Sequence, residues 1–209
     1  MKIDPRFTRE AGRDIYTGNE LLVKGALETV GGVHLLTGYP GSPVASFFDT
    51  CERIGELLND KGVIARLANN EALAAAMVNG SQMVGCRAIA TMKSVGVHVA
   101  SDALALGVLA GTRDDGGAII VCGDDPWSDS TQVPADSRFL AEHLRMPMLE
   151  PANPQEVKDW IDVGFRLGRA GQIYIGYMMT TALADGGGSV ELKPHHWPKF
   201  NHRQRVALS

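Results

Sequence analysis

Cysteine is scarce in this chain of 209 residues, which contains only Cys51, Cys86 and Cys122 and no CxxC pair. An odd number of widely spaced cysteines argues against a disulfide framework, and we interpret all three as small, buried apolar side chains. An iron–sulfur cluster takes about four cysteine ligands in most proteins. Any such cluster that works with this chain is therefore expected in another chain.

Long apolar runs and clustered positive charge are also missing. No apolar stretch approaches the ~20 residues that span a bilayer, and the polar N-terminus does not resemble a secretory signal, so we expect a cytoplasmic protein without a membrane span. The formal net charge is -4, whereas nucleic-acid-binding proteins usually carry clustered positive charge, so we expect no nucleic-acid partner. Glycine-rich phosphate loops and a serine nucleophile elbow are absent too, which leaves nucleotide-binding and hydrolase interpretations without a motif.

Short apolar runs alternate with longer segments of helical spacing along most of the chain. Buried strands are predicted for residues 33–37, 63–67, 88–91, 118–122 and 173–175. Helices are predicted for residues 19–29, 44–58, 71–84, 95–110, 135–144 and 154–167, and their starts are signalled by Thr17, Asn19, Ser42-Pro43, Asn69-Asn70 and Asn153-Pro154. The alternation predicts an α/β fold with a doubly wound parallel sheet.

The pattern changes near residue 181, so we divide the chain into a domain of residues 1–181 and a second segment of residues 182–209. Residues 185–189 are glycine-rich and predict a flexible break, and residues 193–209 are basic and without periodicity. We interpret this C-terminal segment as a flexible tail that serves as a linker or docking arm. Its histidines, His195, His196 and His202, are weak grounds for a metal or anion site.

Four loops follow predicted strands, at the end of a parallel sheet where ligands bind. Residues 37–43 form a turn rich in glycine and proline, whose amides can hold a ligand although such turns are common without one, and Ser42 can cap the next helix. Glu71 opens a helix, where a carboxylate either complements the helix dipole or meets a ligand nitrogen. Lys93 ends the third strand. Asp124 and Asp125 favour a turn over an Mg²⁺ site.

These loops, taken in order, resemble a known family. The matching motifs lie at residues 18–20, 24–28, 38–43, 70–71, 91–93, 95–96, 124–126, 136–138 and 147–151. Together they resemble the N-terminal region of indolepyruvate:ferredoxin oxidoreductase α subunits, which are thiamine diphosphate-dependent members of the 2-oxoacid:acceptor oxidoreductases. The resemblance covers residues 16–180 and implies the pyrimidine-binding domain of that family.

The resemblance gives specific residues a role. It implies that Glu71 is the catalytic carboxylate, which hydrogen-bonds a ring nitrogen of the cofactor's aminopyrimidine and favours the tautomer that deprotonates the thiazolium carbon. Cofactor contacts are then expected from Tyr39, Pro40, Gly41, Ser42, Asn70 and Glu71. Weaker expectations assign Ser42, Lys93 and Arg138 to the carboxylate of a small 2-oxoacid of the arylpyruvate type. No metal ligand is expected in this chain.

The same resemblance implies that the chain supplies half of a site and is inactive alone. Thiamine diphosphate would be shared with a partner subunit or domain that binds the diphosphate and Mg²⁺, while iron–sulfur clusters would lie in an electron-transfer partner. Three positions depart from the family pattern and leave the substrate open, namely Ser42, Ser94 and residues 127–129. Two alternatives remain at this point: a subunit of a split, non-oxidative thiamine decarboxylase, and a non-catalytic assembly subunit.

Overall fold

Six parallel strands form the central sheet of the computed structural model, which describes residues 3–199. Their order across the sheet is β3-β2-β4-β5-β7-β6, with every neighbouring pair parallel. The strands are β1 (Arg13–Tyr16), β2 (Leu35–Gly38), β3 (Ile64–Leu67), β4 (Arg87–Lys93), β5 (Gly117–Asp124), β6 (Met148–Leu149), β7 (Ile175–Thr180) and β8 (Gly188–Glu191). The predicted doubly wound parallel sheet is confirmed.

Helices cover both faces of the sheet. They are α1 (Gly18–Glu28), α2 (Ser46–Arg53), α3 (Gly55–Asp60), α4 (Glu71–Met83), α5 (Ser94–Ala110), α6 (Arg138–His143), α7 (Pro154–Gly171) and α8 (Thr181–Asp185), after a 3-10 helix at Pro5–Thr8. Side chains along a strand point alternately to opposite faces. In β4, Ile89 faces the core built with α1, α2 and α7, while Ala88 and Ala90 face the core built with α4 and α5.

Side-chain caps fix three of the helix starts that the sequence predicts. Thr17 and Glu20 form a capping box at α1, in which each side chain accepts a hydrogen bond from the other residue's backbone N–H. Asn70 caps α4 and Asn153 caps α7. The predicted cap at Ser42 is wrong, because α2 begins at Ser46 without a side-chain cap. Ser42 and Pro43 are instead joined by a cis peptide bond.

The C-terminal segment packs onto the domain as far as the structure describes it. β8 pairs antiparallel with β1, Val190 and Leu192 are buried, and Trp197 packs against the core. The backbone N–H of His196 donates to the carbonyl of Leu27 at 2.8 Å. Residues 188–199 are therefore not the flexible break and tail that the sequence predicts, because a strand partner distant in sequence orders them. His202 and the rest of residues 200–209 lie outside the described residues.

A buried charge cluster joins α1, α7 and this C-terminal segment. Lys158 forms an ion pair with Glu28, and Lys24 lies 3.7 Å from the other carboxylate oxygen of Glu28. The ammonium of Lys24 also lies 2.6 Å from Nε2 of His195. Burial lowers the pKa of Lys24 to about 8, and burial together with the Lys24 charge lowers the pKa of His195 to about 4. At neutral pH His195 is therefore uncharged and accepts a hydrogen bond from Lys24.

The described residues contain no helix that is long and apolar enough to cross a membrane. Cys51 and Cys122 are buried and Cys86 is partly buried, with none in a disulfide, in agreement with their interpretation as apolar side chains. Burial raises the pKa of Cys122 to about 12 and also raises the pKa of Cys51. Both thiols are therefore protonated at neutral pH and are poor nucleophiles.

Candidate active site

The strand order reverses between β2 and β4, and the carboxyl ends of these two strands therefore border the crevice that a doubly wound sheet forms at such a point. After β2 the chain crosses to β3, which lies on one side of β2, and it then returns to β4 on the other side. The connections that follow β2 and β4 therefore run in opposite directions across the sheet. Ligands in doubly wound sheets bind at such a reversal of strand order. The loop of residues 39–43 and the end of β4 at Lys93 border this crevice, which brings two of the predicted loops together.

Main-chain contacts pin the loop after β2 to β4 and α1. The N–H of Tyr39 donates to the carbonyl of Thr91 at 3.0 Å. Gly38 has φ of +144°, and a Cβ there would lie 2.0 Å from that same carbonyl oxygen, so only glycine fits the approach. On the other side, the side-chain N–H of Asn19 donates to the carbonyl of Pro43 at 2.9 Å. Tyr39, Pro40, Gly41 and Ser42 are thus held in place at the edge of the crevice.

Lys93 lies against this loop. A Cβ built on Gly41 would come 3.0 to 3.2 Å from three carbons of the Lys93 side chain, so the aliphatic part of the lysine packs on the glycine. Lys93 is partly buried there. The contact places Lys93 and Gly41, two residues that the sequence assigned to the site, beside each other.

Glu71 reaches the crevice from the start of α4. The amide oxygen of Asn70 accepts a hydrogen bond from Leu73 N–H at 2.8 Å, so Asn70 acts as the cap that begins the helix at Glu71. The Glu71 side chain lies on Gly96, in the first turn of α5, so closely that a Cβ on that glycine would be 2.4 Å from Oε1. The Glu71 carboxylate is therefore held at the N-terminus of α5, the helix that begins directly after Lys93.

Arg138 is engaged elsewhere. Its guanidinium donates two hydrogen bonds of 2.8 Å to the carboxylate of Asp136 and lies 3.8 Å from a Glu150 oxygen. The hydrogen bond from Arg138 lowers the pKa of Asp136, and the same contact raises the pKa of Arg138. The structure thus pairs this arginine with acidic groups of its own chain, and it gives no contact between Arg138 and Lys93 or Glu71.

The two aspartates after β5 organise their own loop. Asp125 accepts hydrogen bonds from three backbone N–H groups, at Asp129 (3.0 Å), Ser130 (2.7 Å) and Thr131 (2.7 Å). Removal from water would raise the pKa of Asp125, but these hydrogen bonds hold it at about 2. Asp124 accepts from Ser137, and burial raises the pKa of Asp124. This bonding is that of the predicted turn.

Two further residues shape the crevice without having been assigned to it. Gly96 and Asn19 were each part of a matching motif, and Asn19 was also interpreted as a helix-start signal, but neither was given a role in the site. Their contacts are with Glu71 and Pro43, which are 25 and 24 residues away in the sequence. The spacing of residues along one segment does not show which distant segment they will contact. No spacing signal in the single sequence could therefore have identified either role.

Comparison with solved structures identifies the class of fold. The model matches a chain of the 2-oxoglutarate:ferredoxin oxidoreductase from Magnetococcus marinus, solved with 2-oxoglutarate, coenzyme A and succinyl-CoA bound, with a TM-score of 0.70. The match covers 90% of this chain and 32% of that one at 18% sequence identity, a level that establishes the shared fold alone. No protein-family model matches the chain.

Comparison with curated sequences narrows the resemblance to one kind of subunit. The chain is 35% identical over 176 residues to indolepyruvate oxidoreductase subunit IorA of Archaeoglobus fulgidus, which covers 84% of this chain and 28% of the relative. The IorA subunits of Pyrococcus abyssi and Thermococcus kodakarensis are 33% and 31% identical, over 78% and 86% of this chain and 24% and 27% of theirs. The resemblance inferred from the motifs is confirmed, and the chain spans about a quarter of the length of these relatives.

Proposed function

We propose that this chain provides the pyrimidine-binding half of a thiamine diphosphate site in a 2-oxoacid oxidoreductase, with Glu71 as the catalytic carboxylate. The observation that carries the proposal is the position of Glu71, held on the first turn of α5 beside the crevice between β2 and β4. The names of the IorA relatives indicate indolepyruvate oxidation, so an arylpyruvate-type 2-oxoacid is the proposed substrate class.

The residues of the crevice fit the pyrimidine end of this cofactor. Gly41 and Gly96 let the side chains of Lys93 and Glu71 lie close against the loop and α5, the loop of residues 39–43 offers backbone groups and the Ser42 hydroxyl, and Glu71 offers a carboxylate acceptor for a ring N–H. Among residues 3–199 no group of three His, Cys, Asp or Glu side chains is arranged to hold a metal ion. Following the family resemblance, the proposal assigns the diphosphate and its Mg²⁺ to a partner domain or subunit.

Glu71 would exchange a proton with the bound aminopyrimidine. When bound, thiamine diphosphate supplies a nucleophilic carbon for the 2-oxoacid carbonyl and accepts the electrons released on decarboxylation. The carboxylate of Glu71 accepts the ring N–H and so stabilises the tautomer that acts as the internal base. Because the side chain is partly buried and fixed between two helices, little reorganisation accompanies this proton transfer.

Lys93 and Ser42 would bind the substrate carboxylate. The lysine lies across Gly41, next to the loop that carries Ser42, and its charge complements an acid. Arg138 is the weaker of the expected carboxylate ligands, because binding a substrate would require it to leave Asp136 or Glu150. The proposal therefore gives Lys93 the main role in recognition of the acid.

An apolar surface beside the crevice fits the proposed partner. On α4 the exposed positions include Leu73, Ala76, Gly80 and Met83, and on α5 they include Val95, Val99, Leu106 and Leu109. On α4 these positions recur every three or four residues, and on α5 they fall at intervals of four, seven and three, with the exposed Asp102 between Val99 and Leu106, so each set lies along one side of its helix. We call these two stripes the α4–α5 face. Exposed apolar surface of this kind marks an interaction site.

The position of the α4–α5 face relates the partner to the chemistry. Both helices begin at the crevice, with Glu71 at the start of α4 and Val95 in the first turn of α5. A diphosphate-binding domain that covers this face would also close the crevice and exclude water from it. Electrons would then pass to an iron–sulfur subunit, as the resemblance to indolepyruvate:ferredoxin oxidoreductases implies.

The experiment that tests the proposal is isolation of the native complex through a tag on this chain, followed by measurement of its thiamine diphosphate content and absorbance spectrum. The expected complex contains thiamine diphosphate and a partner with iron–sulfur absorbance. A colourless complex that contains thiamine diphosphate would instead support a non-oxidative decarboxylase. A complex that binds no thiamine diphosphate, even when the cofactor and Mg²⁺ are added, would refute a catalytic role for this chain.

A further inference from the structure

Gly96 lies under the carboxylate that the proposed function uses. The three heavy atoms nearest to an ideal Cβ at this position all belong to Glu71, with Oε1 at 2.4 Å, Cγ at 2.6 Å and Cδ at 2.8 Å. Real side chains essentially never approach a Cβ within 3.0 Å. Any residue other than glycine at position 96 would therefore force the Glu71 side chain to move.

Backbone conformation does not explain this glycine. Gly96 lies inside α5 and is not among the glycines with positive φ, so alanine would fit its backbone dihedral angles. Glycine inside a helix costs roughly 0.5–1 kcal/mol relative to alanine. The absence of a side chain at position 96 instead allows the close contact with Glu71.

From this geometry we infer that Gly96 is a positioning residue for Glu71, an inference that rests on the proposed function of that glutamate. Its bare Cα lets the carboxylate lie on the first turn of α5. The first N–H groups of a helix lack intrahelical partners, and a negative charge is favoured beside them. Lys93, at the N-cap of α5, provides no side-chain cap. Gly96 thus sets the distance at which the Glu71 carboxylate stands from α5 and from the crevice.

Gly55 provides a matched control. It lies in the first turn of α3, away from the α4–α5 face, and a Cβ added there would have no neighbouring atom within 4 Å. Gly55→Ala adds the same methyl group to the first turn of a helix without touching Glu71. A difference between Gly55→Ala and Gly96→Ala therefore reports the contact at position 96.

The first test uses the full chain alone and needs no cofactor. Urea unfolding midpoints are measured for Gly96→Ala in the wild-type background and in a Glu71→Ala background, which removes all three of the close atoms. We expect the midpoint of Gly96→Ala to lie below that of Gly55→Ala in the wild-type background, and the two variants to shift the midpoint equally when Glu71 is alanine. An equal shift in both backgrounds would overturn the inference, because the glycine would then not be coupled to Glu71.

The second test uses the native complex and measures exchange of the cofactor's thiazolium C2 proton at matched occupancy of thiamine diphosphate. We expect Gly96→Ala to slow exchange at least tenfold and Gly55→Ala to leave it unchanged. Slow exchange in Glu71→Gln together with a normal rate in Gly96→Ala would refute the positioning role and leave the proposed function intact. A normal rate in Glu71→Gln would refute the proposed function itself.

Discussion

Replacing Lys158 by methionine tests how the buried charge cluster holds α1 against α7. The side chain of Lys158 is 0% exposed and that of Glu28 is 4% exposed, so both partners of this ion pair have lost their water. Without Lys158, Glu28 keeps only the Lys24 ammonium at 3.7 Å. Removing one partner of a buried ion pair costs about 3–5 kcal/mol, because an uncompensated charge is left behind. The free energy of unfolding of Lys158→Met should fall by that amount.

Urea denaturation followed by circular dichroism measures this change, and Arg166→Met is its control on the same helix. Arg166 pairs with Asp162 at 2.9 Å, but its side chain is 70% exposed, and exposed pairs of this kind contribute only about 0.3–0.5 kcal/mol. Glu28→Gln combined with Lys158→Met should recover much of the loss, because no buried carboxylate is then left without Lys158, and Lys24 keeps its hydrogen bonds to the Arg9 carbonyl and His195. If Lys158→Met costs no more than Arg166→Met, the cluster does not stabilise the fold and the reasoning from burial is refuted.

Two further predictions concern pH and assembly. The pKa of His195 is about 4 in the folded chain and 6.5 ordinarily. The unfolded chain therefore takes up this proton first, and the free energy of unfolding should fall as the pH drops from 6.5 towards 4. The difference in free energy of unfolding between pH 7 and pH 5, measured with urea, should be smaller in His195→Gln than in the wild type, and an unchanged difference would contradict the burial of a neutral imidazole. Leu106→Lys on the α4–α5 face should abolish co-purification of the partner without lowering the thermal stability of the chain. The control, Leu167→Lys, changes an exposed position of α7 and should leave co-purification intact. Equal recovery of the partner with both variants would place the interface elsewhere.

The sequence predicted β2, β4 and β5 well because parallel strands buried on both faces are continuous apolar runs, as at Ile119 and Ile120. The predicted burial of β3 is wrong, since all four of its residues are exposed at the edge of the sheet. The strand predicted at residues 173–175 overlaps β7 only at Ile175, and β6 was not predicted. The sequence also predicted the starts of α1, α4 and α7. There the side chains of Thr17, Asn70 and Asn153 accept hydrogen bonds from backbone N–H groups three residues later. Local patterns of this kind can be predicted from a single sequence because the interacting groups are neighbours in it.

The elements that escaped prediction depend on distant partners. β8 has a single fully buried residue, Val190, and becomes a strand by pairing with β1 about 170 residues earlier. The prediction of a flexible tail failed for residues 188–199 for the same reason. For the proposed site, the motifs point to Glu71 and the loop of residues 39–43, but the contact of Glu71 with Gly96 arises from the packing of α4 on α5, which no spacing in the sequence encodes.

The central claim, that Glu71 activates thiamine diphosphate in this half site, is tested most directly by the exchange rate of the thiazolium C2 proton in native complexes containing Glu71→Gln. Glu142→Gln, which neutralises an exposed glutamate of α6, is the control. General acid–base groups contribute about 10²–10⁴-fold, so we expect Glu71→Gln to slow exchange by at least a hundredfold at full cofactor occupancy, with Glu142→Gln unchanged. Exchange at the wild-type rate in Glu71→Gln would contradict the account.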